Sequence, residues 1–201
     1  MISFQKRFLF VHIPKTGGNS IQSILRNYSE DEIVTVRAGQ DGVERFEVRN
    51  PNFKIKKHST LADYRTALGE ERFRNLYKFA CIRNPWERML SRYFSPGRQA
   101  MEWDREAFKQ LILKTPSAAD YLRLDDGESD PFANVDRMLR FENLADDFHS
   151  LCQQLDIPPA PLPAYNRSQR EHDAKYYDEE LRDLVAEHSA AEIERFGYTF
   201  D

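Results

Sequence analysis

The stretch Phe8 to Leu25, FLFVHIPKTGGNSIQSIL, constrains this chain more than any other. Its first six residues, Phe8 to Ile13, are largely hydrophobic or β-branched, and a run of that length bounded by a turn predicts a short buried strand. Pro14-Lys15-Thr16-Gly17-Gly18 then breaks the run. Beyond it Ile21, Ile24 and Leu25 recur at helical spacing, so the segment reads as strand, turn, amphipathic helix. Two glycines let the backbone approach a ligand without a Cβ in the way, and the first amides of a helix lack an intrahelical partner. A phosphate or sulfate held there would meet those N–H groups and the positive end of the helix dipole. Lys15 adds a mobile charge, and Thr16, Asn19 and Ser20 add polar side chains. The same residues also fit an ordinary capped helix start, with Asn19 or Ser20 as N-cap and Lys15 in solvent. The turn alone leaves both readings open.

The length of 201 residues suits one sizeable core, so a single domain over residues 1–201 is expected. Its 29 basic and 33 acidic residues give a net charge of −4, which argues against a general nucleic-acid binder. An anionic ligand must therefore be met by a local cluster of positive groups. Nothing at the N-terminus resembles a signal peptide, and no apolar run reaches the roughly 18 residues of a membrane span, so a soluble, cytoplasmic protein is expected. Cys81 and Cys152 lack CxxC or Cys/His spacing and read as core thiols.

After the first helix, alternating stretches within 32–49 flank Ala-Gly-Gln-Asp-Gly and suggest a β-hairpin. Phe53 to Lys57 alternates again and predicts a strand ending at His58. Ser59 or Thr60 then caps a helix, Leu61 to Leu68, which Gly69 closes. Leu76 to Ile82 is a second buried strand, and it runs into Arg83-Asn84-Pro85-Trp86 and a helix to Phe94. Helices over 104–114 and 117–123 follow, with an acidic, solvated loop over 125–130. Val135 to Phe141 reads as a third strand and Asn143 to Leu155 as a helix with a core stripe. Four prolines over 157–163 make a rigid loop, and one or two helices fill 176–196. Strands alternating with helices predict an α/β fold: a mostly parallel sheet with helices on both sides. Ligands of such sheets lie beyond the carboxyl ends of the strands, where Lys15, His58 and Arg83 are all expected.

The chain lacks the string G-x-x-x-x-G-K-[ST], because its lysine stands before the glycine pair, and this disfavours an ATP-dependent kinase. No strand-end acid is convincingly placed for Mg²⁺, Glu142 being the nearest, so no metal is expected and group transfer without a divalent ion is favoured.

These residues carry a resemblance. HIPKTGGNSI resembles the loop that binds the 5′-phosphosulfate in sulfotransferases using 3′-phosphoadenosine 5′-phosphosulfate (PAPS), and CIRNPWERMLSRYF resembles their 3′-phosphate motif. Both strings stand at strand-to-helix junctions in the family's order. RFENL and the closing YYDEEL and IERFGYTF resemble the carbohydrate-type branch, which includes heparan and chondroitin sulfotransferases. The resemblance implies a three-layer αβα, P-loop-like fold with PAPS as co-substrate. It implies that Lys15 meets the bridging oxygen and sulfonate, and that Thr16, Gly17, Gly18, Asn19 and Ser20 hold the 5′-phosphate through amides and the hydroxyls of Thr16 and Ser20. It also places Arg83 and Ser91 on the 3′-phosphate, with Arg167 and Ser168 in a late loop that adds to them. Arg88 suits a structural role as well as a ligand-facing one.

The reaction implied is in-line attack on sulfur by an acceptor, a carbohydrate or small metabolite, with His58 as candidate general base. His58 also fits a residue that orients the next helix. His12 reads as a packed, hydrogen-bonded residue, and Lys56 and Lys57 could draw an anionic acceptor. A second reading is a silent regulatory protein of the same fold that binds PAPS or its bisphosphate product without turnover.

Overall fold

The computed structural model describes residues 1–37, 45–95, 102–163 and 173–200. Its central sheet has the strand order β1 (Ile2–Ser3), β2 (Phe8–Val11), β5 (Tyr77–Ile82), β6 (Arg137–Arg140). Strand β1 runs antiparallel to β2, while β2, β5 and β6 are mutually parallel. Between β2 and β5 lie helix α1 (Gly18–Leu25), a separate antiparallel pair β3 (Glu32–Arg37) and β4 (Arg45–Arg49), and helices α2 (Leu61–Leu68) and α3 (Glu70–Arg74). The hairpin expected over 32–49 is thus present, and its Ala-Gly-Gln-Asp-Gly turn lies outside the described residues.

Strands β2 and β5 are buried over most of their length because both faces are covered, as continuous apolar runs require, whereas β6 at the end of the strand order is only partly buried. Successive side chains alternate between faces. Leu9 and Val11 of β2 and Ala80 and Ile82 of β5 join one core cluster. That cluster also takes side chains from α2, from α4 (Pro85–Tyr93), α5 (Arg105–Lys114), α6 (Ala118–Leu122) and α8 (Glu179–His188). Phe8, Phe10, Phe79, Cys81 and Leu139 enter the other cluster, against Ile21 and Leu25 of α1 and Phe148 and Leu151 of α7 (Leu144–Gln154). The Phe10 and Phe79 rings stack at 5.1 Å between centroids, and burying each such side chain contributes about 1.5–3 kcal/mol. Cys81 and Cys152 are buried free thiols.

Register decides where the turns open. Val11 pairs with Ala80 and Ile82 with Arg140, so β2, β5 and β6 end at one edge, and the turns after β2 and β5 are neighbours there. The last helix, α9 (Ala190–Phe196), is separated from α8 by Ser189, and the chain beyond it returns to the β5 turn. There Thr199 accepts from the Asn84 side chain at 2.9 Å, and Phe200 packs edge-on against Trp86 at 5.7 Å.

One expected element is absent. Residues 53–57 form no strand, and His58 sits in a turn. The amides that a ladder needs are used locally: Ile55 donates to the Phe53 carbonyl at 2.9 Å, Lys56 to Ser59 Oγ at 3.0 Å and Ser59 to the Lys56 carbonyl at 3.1 Å. Ile55 still buries its side chain. The helix after it forms as expected, with Thr60 and Asp63 making a reciprocal capping box. The 125–130 loop is tied down as well as solvated, Arg65 pairing with Asp125 and Glu128 accepting from Asn134. Among the described residues no helix is long and apolar enough to cross a membrane.

Candidate functional site

The turn after β2 is shaped by two left-handed residues, Lys15 at φ 73° and Gly17 at φ 84°. For a residue with a side chain that conformation costs about 1–2 kcal/mol, so Lys15 is held there by its surroundings. Gly17 is the N-cap of α1, which begins one or two residues before the Asn19 or Ser20 cap weighed from sequence. Among the described residues no side chain caps this helix start. Ser20 N–H donates back to the Gly17 carbonyl at 3.0 Å, and the first helical amides, Gly18 and Asn19, precede any intrahelical partner. The glycines are required by what lies behind them. A Cβ on Gly17 would stand 2.7 Å from Leu144 Cδ2 and 3.1 Å from Phe141, and one on Gly18 would stand 2.1 Å from the His12 ring.

The loop's side chains divide. Lys15 Nζ donates to Ser95 Oγ at 3.0 Å, reaching across to the end of α4. Thr16 is fully buried and its Oγ1 donates inward to the Ile13 carbonyl at 2.8 Å, whereas the resemblance gave its hydroxyl to phosphate. Ser20 Oγ donates to the Pro163 carbonyl at 2.8 Å, which ties the loop to the proline-rich segment. Arg167 and Ser168 lie outside the described residues.

The turn after β5 is built differently. Asn84 accepts from Trp86 N–H at 3.1 Å and Pro85 has no amide to offer, so the start of α4 is capped. Arg83 therefore faces the site with its side chain. Its guanidinium lies 4.2 Å over the Phe141 ring and donates to Glu87 at 2.6 Å, while its buried Nε has no partner among the described residues. Glu142 accepts from Asn84 N–H at 2.7 Å and from the Tyr198 hydroxyl at 3.2 Å. The residue nearest to a Mg²⁺ carboxylate in sequence thus braces the β5 turn. Arg88 is structural: only 2% exposed, it donates from Nε to the Pro14 carbonyl at 3.2 Å and from its guanidinium to the Pro116 carbonyl at 2.7 Å.

The two turns open onto one cavity of about 270 Å³. Its lining includes Lys15, Gly17, Gly18, Asn19, Ser20, His58, Arg83 and Ser91, so eight of the sequence-derived residues are brought together; Thr16 is not among them. Sequence reasoning missed Arg92 and Ser95, one and four positions beyond Ser91 in α4 and the turn after it, and Phe141, which stands between the two turns. Lys57 lines the cavity, whereas Lys56 is exposed. Burial lowers the Lys57 ammonium to about 8; it donates to the Phe46 carbonyl at 3.1 Å and sits 3.7 Å over the Phe46 ring. Among the described residues no carboxylate lines this space, whereas Lys15, Lys57, Arg83 and Arg92 do, a local excess of basic side chains in a chain of net negative charge.

His58 is exposed as a residue, but its Nδ1 edge turns inward, 3.0 Å from the His12 carbonyl. A carbonyl can only accept, so Nδ1 carries the proton and Nε2 keeps its lone pair. Desolvation, with Lys57 and Arg92 adding to it, holds the His58 pKa below the ordinary imidazole value against the opposing pull of that carbonyl. A neutral imidazole of fixed tautomer can take a proton at Nε2. His12 is 3% exposed, with Nδ1 2.9 Å from the Gln22 amide and its ring 4.5 Å from that of His58.

Against known proteins, a family model described as Sulfotransferase family matches residues 1–199. No curated protein and no solved structure matches the chain.

Proposed function

The chain belongs to the sulfotransferase family, and on that premise we propose that it moves a sulfonate group from PAPS to an acceptor hydroxyl, that of a carbohydrate in the first instance. One observation carries the reading: the glycine turn with Lys15 and the arginine turn with Arg83 and Ser91 line a single cavity at the shared edge of β2 and β5. The fit is supported by the materials of the site. A loop that excludes Cβ atoms and starts a helix with no side-chain cap suits a 5′-phosphosulfate, and a guanidinium whose buried Nε has no partner among the described residues suits a 3′-phosphate. In this reading residues 1–201 act as one three-layer, P-loop-like domain in the cytoplasm.

The chemistry assigned to the residues follows. The acceptor oxygen attacks sulfur as the bond from sulfur to the 5′-phosphate oxygen breaks, and the electron pair leaves with adenosine 3′,5′-bisphosphate. Lys15, steadied by Ser95, neutralises charge growing on that leaving oxygen. His58 Nε2 takes the acceptor proton. Arg83, Ser91 and the amides of Gly17, Gly18 and Asn19 align the donor, because sulfuryl transfer, like phosphoryl transfer, depends on positioning and charge neutralisation more than on covalent participation. Lys57 and Arg92 beside His58 favour an acceptor that carries negative charge.

Incubation with ³⁵S-labelled PAPS and pools of oligosaccharide and small-metabolite acceptors tests the proposal. Label moving to an acceptor in the wild type and not in Lys15→Ala is expected. Bisphosphate binding without transfer to any pool would favour the silent regulatory reading, and failure to bind PAPS or its bisphosphate product would overturn both.

A further inference from the structure

We propose that His12 is a hydrogen-bond donor to the anion seated on the loop from Gly17 to Ser20, held in its Nε2–H tautomer by Gln22. The inference rests on the reading of that loop as an anion cradle, and it concerns a buried titratable group that the mechanism above leaves unused.

The placement comes first. His12 follows β2 directly and lines the same cavity as Lys15 and the glycines. Its Cδ2–Nε2 edge is turned to the helix start: a Cβ on Gly18 would fall 2.1 Å from Cδ2 and 2.2 Å from Nε2. The opposite edge presents Nδ1 to the side-chain amide of Gln22, which is fully buried.

Two hydrogen-bond arrangements fit that pair, because the two ends of a glutamine amide have the same shape. In one, Nδ1–H donates to Gln22 Oε1. The Gln22 NH₂ group is then buried with no partner among the described residues, and His12 turns a bare Nε2 lone pair toward a site built for anions. In the other, the amide is turned so that its NH₂ donates to Nδ1, and His12 carries its proton on Nε2, facing the loop. The second arrangement satisfies one of the two stranded N–H bonds and leaves a carbonyl unmatched in its place, a vacancy that protein interiors tolerate better. It also replaces repulsion of the anion by attraction. Burial, followed by the nearby His58 and Lys57, pushes the His12 pKa well below the ordinary range, so the ring donates as a neutral imidazole and gives up no proton. The neighbouring histidines then divide the work: His12 Nε2 donates to the anion and His58 Nε2 accepts the acceptor's proton.

The test is a two-bond ¹H–¹⁵N spectrum of the histidine side chains in the full, ¹⁵N-labelled chain saturated with adenosine 3′,5′-bisphosphate, with His12→Phe identifying the signal. The Nε2–H pattern is expected for His12; the Nδ1–H pattern in the bound chain would overturn the proposal and leave the loop reading standing. In parallel, His12→Phe should lower kcat about 10- to 100-fold, the size of a lost hydrogen bond to a charged group, and His12→Gln, whose amide reaches toward the Nε2 position, should restore part of it. Wild-type kcat in His12→Phe would equally refute the donor role. If His12→Phe does not fold, the wild-type spectrum, assigned through His12→Gln, still decides. A wild-type chain that fails to bind the bisphosphate removes the cradle reading and this inference with it.

Discussion

The two turns that meet at the edge of the sheet offer different materials to the anion that the proposed function assigns to them. After β2 the material is backbone: Gly17 caps α1 without a side chain, and the loop is wedged in place by Phe141, Leu144 and His12. After β5 the helix start is already closed by Asn84 and Pro85, so what that turn presents to the cavity is the side chains of Arg83 and Ser91. The first turn is preformed. The second is already engaged, since one Arg83 guanidinium nitrogen is paired with Glu87 at 2.6 Å, a carboxylate that would compete with the proposed phosphate. Capping, rather than the presence of a helix, thus decides which strand-to-helix turn can bind through amides.

The comparison breaks first at Gly18. Gly18→Ala forces a methyl to 2.1 Å from the buried His12 ring, so bisphosphate binding should be lost and the melting temperature should fall, overpacking of this kind costing ~1–3 kcal/mol. Retained affinity in calorimetry would show that the loop is not a rigid cradle. Lys15→Ala leaves the backbone intact and should lower turnover by about 10²- to 10³-fold, with a smaller loss of bisphosphate affinity. His58→Ala is expected to slow transfer by about 10²-fold or more with nucleotide affinity kept. Because the His58 pKa is lowered and the neutral ring is the active form, the wild-type rate should be flat at neutral pH and fall only below the ordinary imidazole value near 6.5. A rate already falling at pH 7.5 would contradict the base assignment. The smallest effect is expected in the second turn, where Glu87→Gln removes the competing carboxylate. The pair is partly exposed, worth about 1 kcal/mol or less, so affinity should rise a few-fold at most. A weaker complex would mean that Glu87 aims Arg83 instead of occupying it.

Much of this was legible in the sequence for a physical reason. The runs at Phe8 and Leu76 are apolar without alternation because both faces of β2 and β5 are covered, and the glycines and proline that follow mark the turns. The strand expected over 53–57 failed because its alternation, with Ile55 buried between exposed lysines, is also what a turn produces when it plants one side chain in the core. His58 still reaches the cavity, but through a hydrogen bond to the His12 carbonyl that no local pattern encodes. Lys57 is the neighbour of His58 in sequence, but Arg92 reaches His58 from a distant part of the chain, which periodicity cannot show. Gln22 reads as a polar position on an amphipathic helix, and only the fold reveals that it is buried against His12. Arg92 carried a signal that could have been used, since it adjoins Ser91.

The central claim is that the two turns grip opposite ends of one nucleotide, and calorimetry of wild type and Arg83→Ala with two ligands tests it most directly. Adenosine 3′,5′-bisphosphate should lose about 10- to 100-fold in affinity on Arg83→Ala, as loss of hydrogen bonds to a charged group implies, whereas adenosine 5′-monophosphate, which lacks the 3′-phosphate, should bind both proteins alike. Equal losses for both ligands, or none for either, would contradict the account.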